Sequence, residues 1–164
     1  MVAGRSPNVP KPEFDPSDAL RLDGQLCFAV YAAAHAYNRL YKPLLDRLRL
    51  TYPQYLVMLV LWETDGQTVK AIGERLFLDS GTLTPLLKRL EAATLVTRQR
   101  DSADERRVLV HLTAAGRALK QEALAVPPAI GAASAANLEE VEALKLSLVE
   151  LRRRLNAEAD RTGA

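Results

Sequence analysis

The chain has 164 residues, 48% of them hydrophobic, and its 22 Lys and Arg set against 20 Asp and Glu leave a net charge of only +2. That length and composition suffice for one packed core and call for no second independent domain. No run of about 18 uncharged apolar residues occurs, which excludes a membrane-spanning helix. The two histidines, His35 and His111, and the one cysteine are too few and too scattered for a metal site, and no cofactor is expected.

From Met1 to Asp18 the chain lacks the apolar centre of a signal peptide and carries Pro7, Pro10, Pro12 and Pro16. Residues 1–20 therefore read as a disordered or extended arm, and the protein is expected in the cytoplasm. Asp23 is placed to cap a helix running to about Arg47, with Pro43 as a point of kinking. Cys27, the lone cysteine, falls one turn inside that start, where free N–H groups and the helix dipole favour a thiolate. A single cysteine on an apolar helix also reads as a small core residue. Thr51 and Gln54 have capping-box spacing for a following helix through Trp62.

Thr68 is a cap for a short helix over Val69 to Leu76, and Asp79 and Ser80 cap the next one, with Thr84-Pro85 expected in its first turn. Leu83, Leu86, Leu87 and Leu90 recur at i, i+3, i+4 and i+7, so one stripe faces a core. At 100° per residue the opposite face carries Gly81, Pro85 and Lys88, flanked by Thr84 and Arg89. That face is small near its start, which permits close approach to base edges, and cationic further on, which suits guanines or phosphates. The pair has helix-turn-helix spacing.

A hairpin follows. Leu95 to Arg100 is strand-like, Asp101-Ser102-Ala103-Asp104 is a turn cluster, and Val108 to Leu112 is β-rich before Thr113 caps another helix. Arg106 and Arg107 lie just past the tip. Between Gly81 and Arg100 the cations Lys88, Arg89, Arg98 and Arg100 face one anion, Glu91, so a local balance of +3 sits within a nearly neutral chain. A basic helix and hairpin in this order spell a winged DNA-binding unit. The Ala-rich stretch from Ala123 to Ala136 has helical composition broken by Pro127-Pro128. Asn137 with Glu140 repeats the cap spacing ahead of an apolar stripe formed by Val141, Leu144, Leu148, Leu151 and Leu155.

The predicted fold is mainly α with a small β-wing. Residues 51–112 form the winged helix-turn-helix, while residues 21–50 and 113–160 form a helical dimerisation region. Apolar stripes at both ends of a small DNA-binding core must be covered, and a second copy related by a two-fold axis covers both and matches paired half-sites. Cys27, Tyr31 and Tyr41 share roughly one helix face, but Cys27 and Tyr41 are separated by about 21 Å along it. If two such helices cross antiparallel near Ala34, beside the small residues Ala32 and Ala33, residue 27 of one chain meets residue 41 of the other. A tyrosine hydroxyl could then donate to the thiolate across the interface. Tyr31, Tyr41 and Tyr52 also read as ordinary interface aromatics.

Several segments taken together resemble the organic-hydroperoxide-sensing repressors of the MarR family, in their one-cysteine form. They are Leu22 to Phe28, Tyr41 to Asp46, Thr51 to Leu56, Leu78 to Arg89 and Asp104-Glu105-Arg106, and the likeness runs from about Leu22 to Leu155. The resemblance implies that Cys27 reacts with peroxide, that Tyr41 and Tyr52 hydrogen-bond to its sulfur, and that Arg106, paired with Asp104 in an Asp-x-Arg wing motif, enters the minor groove. The DNA-contacting set then comprises Ser80, Thr82, Thr84, Pro85, Lys88 and Arg89 on the helix with Asp104 and Arg106 on the wing.

The expected activity is a redox-sensing repressor, not an enzyme. A homodimer binds palindromic operator DNA and is released when an organic hydroperoxide converts Cys27 to a sulfenic acid. The second cysteine carried by another class of the family is absent, so a low-molecular-weight thiol is the expected partner after oxidation. Leu22, Leu26 and Phe28 favour organic hydroperoxides over hydrogen peroxide. The main rival is a MarR-type regulator answering to a small aromatic ligand, with Cys27 structural. A one-cysteine peroxidase would want a thioredoxin-like βαβ pattern that is missing, and a DNA-independent module leaves the wing unexplained.

Overall fold

The computed structural model describes residues 19–104, 106–134 and 137–163. The proline-bearing arm from Met1 to Asp18 lies outside them, as do Glu105 and the end of the Ala-rich stretch, Ala135 and Ala136. A 3-10 turn, Leu22–Gly24, leads into α1 (Leu26–Leu48), followed by α2 (Tyr52–Glu63), β1 (Gln67–Thr68), α3 (Val69–Leu76) and α4 (Ser80–Ala92). Then come β2 (Val96–Arg100), β3 (Val108–Leu112), α5 (Ala114–Ala123), α6 (Val126–Ser134) and α7 (Leu138–Thr162). No helix among the described residues is long and apolar enough to cross a membrane.

Side-chain caps set most helix starts. Thr68 accepts from Ala71 N–H, Asp79 from Thr82 N–H, Thr113 from Gly116 N–H and Asn137 from Glu140 N–H, each satisfying a donor that the first turn leaves free. Gln54 closes the start of α2 by accepting from both the N–H and the hydroxyl of Thr51. Asp23 does not cap α1. Gln25 N–H returns to Leu22 O at 3.0 Å, spending Asp23 inside the 3-10 turn, and extended Gln25 takes the cap position without a side-chain bond. Cys27 is consequently the second residue of α1. Pro43 lies within the helix, which runs on through it to Leu48. Pro127 and Pro128 break the Ala-rich stretch by starting α6, in the first turn where a missing N–H is harmless.

The three strands form one antiparallel sheet in the order β1-β3-β2, with Val96 opposite Leu112 and Arg100 opposite Val108. The core joins the end of α1 (Leu45, Leu48), α2 (Val57, Met58, Leu61), α3 (Ile72), α4 (Leu83, Leu87, Leu90), the sheet (Val96, Val110, Leu112) and the α5–α6 junction (Val126, Ile130). Leu90 and Val57 are fully buried, and truncating such a leucine to alanine costs about 2–5 kcal/mol. The rest of the chain contrasts sharply: α7 holds no buried residue and α1 buries only Leu45 and Leu48. Leu26, Val30, Tyr31, Leu144, Leu148 and Leu155 stand in solvent instead.

Candidate functional site

The stripe Leu83, Leu86, Leu87 and Leu90 pins α4 to the core and turns Ser80, Pro85, Lys88 and Arg89 outward, all exposed, with Thr84 half-buried. Thr82 is exposed but already engaged, because its hydroxyl donates to Asp79 at 2.8 Å and its N–H to the same carboxylate at 2.9 Å. Those bonds, the hydroxyl's first, hold the Asp79 carboxyl below its ordinary range. Pro85 is not in the first turn. With Asp79 as the cap it is the sixth residue of α4, so its missing N–H leaves Gly81 O without its helical donor. The Thr84 hydroxyl bonds Ser80 O one turn earlier, at 2.6 Å.

Arg98 is not a free cation on this face. Its Nε donates to Glu91 Oε2 at 2.9 Å with Nη2 on the same oxygen, and the bond holds the Glu91 carboxyl below its ordinary range. The two charges cancel, and among the described residues Lys88, Arg89 and Arg100 are left as the local basic excess without an ion-pair partner.

The hairpin tip is organised by two carboxylates. Asp101 accepts from Ala103 N–H at 2.9 Å and lies 3.8 Å from the Arg107 guanidinium, while Asp101 N–H reaches Arg107 O at 2.9 Å. Asp104 Oδ1 accepts both the N–H and the Nε–H of Arg106 at 3.1 Å, which lowers the pKa of the Asp104 carboxyl. The Arg106 side chain is nonetheless 91% exposed. An open groove of about 1200 Å³ separates the start of α4 from the wing, and Ser80, Thr84, Arg98, Arg106 and Arg107 line it. The arginines that line it belong to the wing, while Lys88 and Arg89 of α4 lie beyond it on the same helix; a helix and a wing on either side of a channel is the arrangement that suits neighbouring grooves of a duplex.

The expected sensor residues fall into two places. Cys27 is exposed on the first turn of α1, next to Leu26 at 63% exposure and one turn from Tyr31 at 60%. Tyr31 packs on His35 with ring centroids 4.3 Å apart. Tyr41 and Tyr52 do come together: their centroids are 4.7 Å apart, with Tyr55 beyond at 6.1 Å from Tyr41. They edge a cavity of about 240 Å³ with Asn38, Lys42, Asp46 and Pro53. Burial, and then the neighbouring Tyr52, push the Tyr41 hydroxyl up to about 12. It therefore stays a hydrogen-bond donor across the whole range in which a thiol ionises. Cys27 does not line this cavity. No group of His, Cys, Asp or Glu among the described residues could hold a metal ion.

Sequence reasoning passed over three residues that hold the module together. Asp65 accepts from Gly66 N–H and Leu112 N–H and from Arg117 Nη1, all within 2.8 Å, tying the α2–β1 turn to β3 and α5. The Trp62 indole donates to Gly116 O at 2.8 Å. Glu91 entered only as a subtraction from the charge. A carboxylate in the last turn of a helix, disfavoured by the dipole, was the available sign that it had a partner.

A family model described as transcriptional regulator SarA/Rot matches residues 39–123. The chain is 56% identical over 145 residues to the HTH-type transcriptional regulator TtmR of Methylorubrum extorquens, covering 88% of this chain and 74% of that one. It is 49% identical over 134 residues to the organic hydroperoxide resistance transcriptional regulator of Bacillus subtilis, covering 82% and 91%. Among solved structures it resembles reduced AbfR bound to DNA, with a TM-score of 0.73 and 38% identity over 85% of this chain and 96% of that one. It also resembles MarR from E. coli, with a TM-score of 0.62 and 26% identity over 77% and 96%. The matched family and both sequence relatives are transcriptional regulators, not enzymes. The chain belongs to the SarA/Rot-type, MarR-like family of winged-helix transcriptional regulators.

Proposed function

We propose that the protein is a cytoplasmic repressor that binds palindromic operator DNA as a homodimer and releases it when an organic hydroperoxide oxidises Cys27. Residues 51–112 read the DNA, and residues 21–50 with 113–160 join the two copies. The observation that carries the reading is the placement of the only cysteine: exposed on the first turn of α1, on a helix half that its own chain leaves uncovered. A cysteine kept for packing belongs in the protomer core, and this one is outside it. The Bacillus relative is a regulator of organic hydroperoxide resistance, and AbfR has been seen reduced and on DNA; both support the assignment.

The chemistry balances. The Cys27 thiolate attacks one peroxide oxygen, an S–O bond forms as the O–O bond breaks, and the departing alkoxide takes a proton and leaves as the alcohol. Sulfur is oxidised by two electrons and the peroxide is reduced by two. A low-molecular-weight thiol then displaces the sulfenic hydroxyl as water, leaving a mixed disulfide. The hydroxyls of Tyr41 and Tyr52 of one subunit serve Cys27 of the other by donating to its sulfur. The added bulk at the crossing of the two α1 helices changes the spacing of the reading helices and weakens operator binding.

Subunit mixing tests it. Cys27→Ser should bind operator normally and ignore hydroperoxide. In a heterodimer of one Cys27→Ser chain with one Tyr41→Phe chain, the single remaining cysteine faces an intact Tyr41 and should be oxidised at the wild-type rate. Slow oxidation there would place the contact within one subunit and refute the antiparallel crossing. A Cys27→Ser dimer that still lets go of DNA on treatment would refute the sensor assignment.

A further inference from the structure

We propose that Glu91 and Arg98 are a positioning pair that sets the wing against the reading helix, so that Arg106 and the α4 cations engage one stretch of duplex together. The inference rests on the DNA-reading role proposed above. It adds a pair whose charges are spent on each other and which determines whether the two DNA-touching elements are in register.

Glu91 sits in the last turn of α4, where the helix dipole disfavours an anion, and on a surface where a negative charge opposes phosphate. Both objections vanish because the carboxylate is occupied. Arg98 Nε and Nη2 converge on Oε2, and Arg98 N–H reaches Oε1 at 3.3 Å. The side chains are only 27% and 37% exposed, so water competes weakly for them. The sheet order leaves β2 an edge strand, and Arg98 lies at its centre, opposite Val110.

Two ties thus locate the hairpin relative to α4. At its base, Leu95 N–H bonds Leu90 O at 3.0 Å and Thr113 N–H bonds Leu95 O at 3.0 Å. Midway along, the Glu91–Arg98 pair is the second tie. The β1 ladder already holds β3 at Leu109 and Val110; the pair gives β2, on the free edge, its own hold on α4 at the same level, so both strands of the ribbon are fixed and its tip is presented at a set distance. Beyond Arg98 the ladder continues to Arg100 opposite Val108, and the Asp101 and Asp104 bonds carry that rigidity to Arg106.

The test is a double-mutant cycle on operator binding by the full homodimer. The probe is a labelled duplex recovered when the wild-type protein selects from randomised sequence, with a scrambled duplex as reference. Glu91→Gln and Arg106→Ala should each weaken binding to the selected duplex by about tenfold or more. The double variant should be no weaker than Arg106→Ala alone, because a misplaced wing loses nothing further when its arginine is gone. Binding to the scrambled duplex should not weaken with Glu91→Gln, which removes a negative charge. Exchanging the charges, Glu91→Arg with Arg98→Glu, should recover most of the loss and answers for any variant that folds poorly. Losses that multiply in the double variant, or no loss with Glu91→Gln, overturn the positioning inference while leaving the DNA-reading proposal standing. No loss with Arg106→Ala overturns both.

Discussion

Leu144→Glu should turn the dimer into a monomer over the working concentration range. Leu144 lies on the α7 stripe and is 60% exposed in the protomer, outside the buried core. Full burial of a leucine is worth about 1.5–3 kcal/mol, so covering this remainder contributes about 1–2 kcal/mol per chain. A two-fold interface counts it twice, about 2–4 kcal/mol, which raises the dissociation constant about 30- to 1000-fold before any cost of placing two carboxylates at a desolvated interface. Sedimentation equilibrium over a dilution series measures the shift directly. Circular dichroism checks that the helices persist, as they should for a side chain outside the buried core. An unchanged dissociation constant would mean that the stripe is not what joins the copies, and the dimerisation reading of α7 would be wrong.

Replacing Lys88 or Arg89 with Ala should lower the slope of log affinity against log salt by about one and weaken all duplexes alike; a loss confined to one base position would make that residue a base reader. Gly116→Ala should destabilise the fold by about 3 kcal/mol or more in urea titrations, because a Cβ there would stand 2.0 Å from Leu95 O and part α5 from β2; an unaltered midpoint would refute this. Tyr41 favours its neutral form: its folded value of about 12 lies above the ordinary 10.0. Its stabilising contribution is therefore complete below pH 10 and is lost as pH rises through 12. The ultraviolet titration difference between the wild type and Tyr41→Phe should fall near 12, and a step near 10 would contradict the buried ring.

Helix starts were legible because their signals are local. Thr68, Asp79, Thr113 and Asn137 act within three residues of themselves, and the leucine spacing of α4 needs only a helix to become a core face. The ends of α1, α2 and α3 fall within a residue of where the sequence pattern put them, at Leu48, Glu63 and Leu76, but how they end was hidden: the chain leaves α1, α3 and α4 through Arg49, Phe77 and Thr94 at φ near 55–57°, with no glycine to mark the turn. What holds them is non-local: Leu50, Leu78 and Leu95 each follow a left-handed residue, bond back to the preceding helix and pack on the core. Asp23 misled because a 3-10 turn offers the same local pattern as a helix start two residues later. Arg98 misled because a charge count cannot see that β2 brings it under Glu91. The tyrosines were legible as a set, and their meeting was not, for Tyr41 and Tyr52 sit on different helices.

Trp62 is the single tryptophan of the chain. Its indole binds Gly116 O, its own carbonyl receives Lys120 Nζ at 2.9 Å, and its ring meets Tyr55 edge-on at 6.2 Å, with Tyr41 one ring further away and Tyr52 the next after it. Light absorbed by the tyrosines of the proposed sensor can therefore pass to one emitter seated where α2 meets α5. The molecule carries its own optical gauge, in which emission colour reads the hydrogen bond to α5 and transfer efficiency reads the tyrosine stack, and derepression can be followed in real time without attaching a label to the cysteine that starts it.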